Sequence, residues 1–136
     1  MSEVIAGRGD TLARAFAEIG VALFARAVPP DRVEPREVRE VRAHGQRIEG
    51  LLLAWVGECR YVHEIEGFVC HHIEMAVFDA APAGGAEPLR LHAMIHGEEL
   101  DADRHGEPGP IPTLSPSEAA VESLESGFEA RVFTVA

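Results

Sequence analysis

Residues 48–68 read IEGLLLAWVGECRYVHEIEGF, and within them Ile48, Leu51, Leu52, Trp55, Val56 and Cys59 fall at i, i+3, i+4, i+7, i+8 and i+11. That spacing lays six apolar side chains on one face of a 3.6-residue helix, so it predicts an amphipathic helix from about Arg47 to Tyr61 that covers a core. Gly50 and Gly57 each cost such a helix about 1 kcal/mol relative to alanine, which points to close packing or to tolerated drift.

On the C-terminal side the period changes from 3.6 to 2. Residues 68–78 and 89–96 read as two strands. In the second, Leu89, Leu91, Ala93 and Ile95 face one way and Arg90, His92, Met94 and His96 the other. Ala80–Pro88, rich in Ala, Pro and Gly, is the loop between them. On the N-terminal side, residues 36–42 read REVREVR and predict an exposed strand. Before it a first helix is capped by Asp10 or Thr11, carries Leu12, Ala15, Phe16, Ile19, Leu23 and Phe24 at helical spacing, and is stopped by Pro29 and Pro30. Residues 106–112 (GEPGPIP) form an irregular loop. The tail has two readings. Ser115–Glu118 is a capping box for a helix ending at Gly127, or residues 119–124 and 128–135 are a hairpin about 125–127.

A chain of 136 residues has the length of a single domain over 1–136. Its 12 basic residues against 23 acidic ones give a formal charge of -11, a surface that repels phosphate backbones and suits a basic protein partner. No direct nucleic-acid binding is therefore expected. No apolar run approaches the roughly 20 residues of a membrane helix, and the N-terminus has neither signal-peptide nor transit-peptide character; the expected location is the cytoplasm. Cys59 and Cys70 are too few for a disulfide framework and read as buried free thiols.

Histidines and cysteines crowd residues 59–96, but at poor metal spacing. His71 and His72, adjacent on a strand, are expected on opposite faces, while His92 and His96 share a face about 13 Å apart, too far for one ion. Glu98, Asp101, Asp103, Arg104 and His105 gather just after a strand. Such a turn can hold a hard cation or supply an acid/base pair. Equally, Asp101 or Asp103 can cap backbone amides while Arg104 pairs with a carboxylate. No phosphate loop, G-x-S-x-G elbow or helical H-E-x-x-H is present, since Gly67 stands where the second histidine belongs. The chain does not read as an enzyme.

Residues 48–68 resemble, without a gap, the archease family's L-E-x-L-L-V-x-W-L-N-E-L-L-Y-L segment with its following acidic pair and G-F. Gly9–Phe24 is similar to the family's G-x-T-L helix opening. Gly97, Glu98, Asp101, Arg104 and His105 are similar to its G-E-x-x-D-x-x-R-H turn, and Gly127–Val132 to its G-W-x-A-R-V strand entry. The resemblance implies an α+β fold, an antiparallel sheet layer with two helices, and a hairpin tail. It also implies a chaperone-like accessory protein of tRNA processing, which activates the tRNA-splicing RNA ligase by promoting its guanylylation. That ligase, or another RNA-processing protein, is the partner implied. The alternative is an archease-like binding module without metal-dependent activation. The family's metal is calcium, held by aspartates near both chain ends. Here the D-H-T-A-D strand has no counterpart, Glu3 being the one acid among residues 1–8. Thr134 stands at the aspartate of F-D-V, and residues 111–117 lack the lysine, tyrosine and histidine of V-K-A-V-T-Y-H.

Overall fold

The computed structural model describes residues 3–80 and 88–135. Strand β1 (Val4–Gly9) leads into helix α1 (Leu12–Ala25), where the Thr11 hydroxyl accepts from the Arg14 N–H and closes the first turn. A 3-10 turn (Pro30–Arg32) precedes β2 (Glu37–Gly45) and α2 (Ile48–Glu64). Then come β3 (Phe68–Asp79), β4 (Leu89–Glu99), a single helical turn α3 (Ala102–His105), β5 (Leu114–Leu124) and β6 (Gly127–Thr134).

The α+β class is as expected, but the strands form two sheets rather than one. They are antiparallel, in the orders β1-β6-β5 and β2-β4-β3. The helices join them: α1 lies against β1, β6 and β3, and α2 against α1, β2 and β5. The face read from residues 48–59 is the face that is buried, with Leu51, Leu52, Trp55, Val56 and Cys59 inaccessible and Ile48 half-covered. Trp55 Nε1–H donates 2.7 Å to the Phe16 carbonyl, tying the two helices with a bond inside the core.

Three expectations change at the edges. Strand β1 was not legible, because residues 4–9 (VIAGRG) hold two glycines and little alternation. Gly7 is needed there: a Cβ would lie 2.6 Å from Ile19 Cα, so glycine lets the strand meet α1. Helix α2 runs to Glu64, beyond Tyr61, supported by an Arg60–Glu64 pair at 2.8 Å, and Gly67 at φ +65° turns the chain into β3. The capping-box reading of the tail gives way to the hairpin, β5–β6, which pairs with β1 through β6 and packs against α1 and α2. The loop expected at 80–88 lies, for residues 81–87, outside the described residues.

Candidate functional site

The turn after β4 is built around one carboxylate. Glu98 is buried at the end of a central strand, opposite Val69 in register. Both Nη atoms of Arg104 reach it, Nη1 to Oε1 and Nη2 to Oε2 at 3.0 Å. The Glu34 amide donates to Oε2 at 2.8 Å, and His105 Nε2 stands 3.0 Å from the same oxygen. His105 is itself buried, and its Nδ1 accepts from the Asp101 N–H at 2.9 Å. That amide can only donate, which places the ring proton on Nε2, facing Glu98. Asp101 caps α3 through the Asp103 amide at 3.0 Å, and Gly106, at φ 76°, ends it. Asp103 is exposed.

Four of the five singled-out residues therefore belong to one bonded unit: Glu98, Arg104 and His105 converge, Asp101 orients the histidine, and Asp103 stands outside. The Arg104 guanidinium, helped by the Glu34 amide and His105, holds the Glu98 carboxyl at about 2 against the opposing effect of burial. Both ring nitrogens of His105 and both oxygens of Glu98 are occupied. The arrangement fixes the β4–α3 corner to the segment before β2. Sequence reasoning missed Glu34 and Arg36, which approaches Glu98 Oε1 at 3.8 Å, because they lie more than 60 residues away with no local pattern.

A second polar unit lies on the other sheet. Glu129 accepts from Arg8 Nε and Arg131 Nη1, each at 2.6 Å, and Arg131 continues to Glu122 at 2.7 Å. Those arginines hold the Glu129 carboxyl below its ordinary range.

The histidines correct one expectation. His71 and His72 do not take opposite faces: a β-bulge between Cys70 and His72 breaks the alternation, both rings are exposed, and their Nδ1 atoms lie 2.8 Å apart. His72 stacks on His96 with centroids 4.3 Å apart. Even so, no three His, Cys, Asp or Glu groups among the described residues converge on one point. Cys59 and Cys70 are buried free thiols, as expected, and burial pushes Cys70 up to about 12.

Glu3 and Thr134, the described residues nearest the positions of the family's calcium aspartates, do not fit calcium as they are bonded. The Thr134 hydroxyl accepts from the Glu3 amide at 2.7 Å and donates to the Glu3 carbonyl at 3.2 Å, so it is spent on strand closure. The Glu3 carboxylate is held bidentately by Arg26 at 3.0 and 3.1 Å. Hard-cation sites need several free anionic oxygens, and among the described residues Glu3 and Thr134 are already engaged with other groups.

The scaffold is thus a two-sheet α+β fold whose main polar cluster is engaged in its own hydrogen bonds. The chain belongs to the archease protein family, whose sequence pattern matches residues 4–134. It is 32% identical to the archease of Pyrococcus abyssi over 123 residues, 90% of this chain and 83% of that protein. It is 30% identical to the archease of Thermococcus gammatolerans over the same shares. An archease-like protein of Drosophila melanogaster is 29% identical over 74% of this chain and 62% of its own. The solution structure of Methanobacterium thermoautotrophicum protein 1598 superposes with a TM-score of 0.68 at 16% identity, over 98% of this chain and 89% of that one, and shows the same fold. Family membership makes this an accessory protein of RNA processing, not an enzyme.

Proposed function

We propose that this protein docks on the tRNA-splicing RNA ligase, which joins a 3′-phosphate end to a 5′-hydroxyl end, and promotes its guanylylation. The observation that carries the reading is the match to the archease family across residues 4–134, with the α2 segment, the α1 opening, the β4–α3 corner and the β6 entry all retained in order. The role asks for a rigid surface and no chemistry of its own, which suits a corner pinned by Glu98. The charge of -11 favours a basic face on the partner. The test is the rate of guanylylation of purified ligase with GTP, with and without this chain at equimolar concentration. Acceleration is expected, and an unchanged rate overturns the reading.

A second reading is favoured by one observation, the Thr134 hydroxyl committed to Glu3 where an aspartate would be free. In it the chain binds its RNA-processing partner without metal-dependent activation. Co-purification with the ligase at an unchanged guanylylation rate, with or without calcium, would select it.

A further inference from the structure

Nine of the twelve arginines reach a carboxylate within 4.0 Å. Arg32, Arg42 and Arg90 reach none among the described residues, and two of these three share one cavity. Register sets Arg42 of β2 opposite His92 of β4, and His44 opposite Arg90. The period of two puts all four side chains on the face away from the core, since Val41, Ala43, Leu91 and Ala93 are buried. Arg42 and Arg90 are thus diagonal neighbours across the β2–β4 pair, each facing a histidine.

Among the described residues, neither Glu40 nor Asp79 completes the quartet. Glu40 Oε2 is 3.8 Å from His92 Nε2, beyond hydrogen-bond reach, and Asp79 stands opposite Arg90 in register without an ion pair within 4.0 Å. His92 Nε2 is buried with no hydrogen-bond partner, the one such side-chain atom among the described residues. A buried polar atom without a partner asks for one from outside the chain. These groups line a cavity of about 420 Å³, whose apolar wall includes Val77 and Leu91.

We propose that this cavity binds the phosphate of a nucleotide, with the Arg42 and Arg90 guanidinium forks on the phosphate oxygens. His44 and His92 supply ring nitrogens, and Val77 flanks the base. Planar guanidinium groups match phosphate geometry and also stack on bases, and the volume falls in the range of small-molecule sites. A mononucleotide fits better than a polymer, because the charge of -11 repels a polyanion outside the cavity. The proposal is independent of the ligase reading: the guanylylation assay can fail while this site binds, and the reverse.

The test is an NMR titration of the full chain, in metal-free buffer, with GTP, AMP, inorganic phosphate and a 3′-phosphorylated oligoribonucleotide. Saturable shifts confined to the quartet are expected with a mononucleotide, which should bind at least about tenfold tighter than inorganic phosphate. The R42A/R90A variant, checked for an unchanged fold by its amide spectrum, should lose about a hundredfold in affinity, on the basis of about tenfold for each charged contact removed. Single Arg42→Lys should fall between the two, keeping charge but losing the fork. Absence of saturable shifts at millimolar nucleotide overturns the proposal. So do equal binding by inorganic phosphate, tighter binding of the oligoribonucleotide than of the mononucleotides, and an undiminished affinity in R42A/R90A.

Discussion

Glu98 does more for this protein by being charged than by being reactive. Its carboxylate closes a corner between segments 64 residues apart, and removing that charge strands Arg104 and the buried His105. Glu98→Gln keeps the shape but loses the ion pair, and is expected to destabilise the fold by about 3 kcal/mol, measured by urea denaturation. Its titration gives a pH signature as well. The folded pKa of about 2 lies below the ordinary 4.5, so the stabilisation is present above 4.5 and is lost as pH falls from there towards 2. Glu129, held down by Arg8 and Arg131, acts in the same direction. Stability should therefore decline between pH 5 and pH 2, and the decline should be visibly shallower in the Glu98→Gln variant. Equal slopes would deny Glu98 this role.

At the scale of the element, the two long helices show how one residue type has two meanings. Gly20 of α1 faces the core, and a Cβ there would meet Ile73 Cδ1 at 2.7 Å and Trp55 Cζ2 at 2.9 Å. The isoleucine terminus can swing away, but the tryptophan is fixed by its bond to the Phe16 carbonyl. Gly57 of α2 has open space where a Cβ would go. Gly20→Ala is thus expected to cost about 1–2 kcal/mol through overpacking, despite alanine's better helix propensity. Gly57→Ala should instead stabilise by about 0.5–1 kcal/mol. Thermal denaturation of the two single variants, with Tm moving in opposite directions, checks both. Of the two readings for Gly50 and Gly57, tolerated drift rather than close packing holds among the described residues, and the close packing is at Gly20.

For the whole molecule, the dominant property is charge. A surface at -11 steers association with a basic partner and makes it salt-sensitive, because exposed charges are screened over about 10 Å at 0.1 M ionic strength. Affinity for the proposed ligase partner, measured by surface plasmon resonance, is expected to fall at least about tenfold between 50 and 500 mM NaCl, mostly through a slower association rate. A salt-independent affinity would point to an apolar interface. The same charge explains why the Arg42–Arg90 quartet stands out: elsewhere on the described surface most arginines are neutralised by a neighbour.

Local periodicity and turn chemistry determined the helices, the β2, β3 and β4 strands, and the buried faces of α2 and β4, because those signals are carried by residues close in sequence. They also located the β4–α3 corner, and Asp101 caps there as its position suggested. Long-range pairing decided the rest. The two-sheet arrangement depends on β1 finding β6 across about 120 to 130 residues, and Glu34 finding Glu98 has no local sign at all. The bulge that brings His71 and His72 to 2.8 Å reverses what strict alternation implied. Residues 48–68 thus determined that a helix would cover a core. Which carboxylates remain free for function, and which are consumed in holding the fold, followed only from the tertiary structure, since a hydrogen bond is set by distance in space and not by distance along the chain.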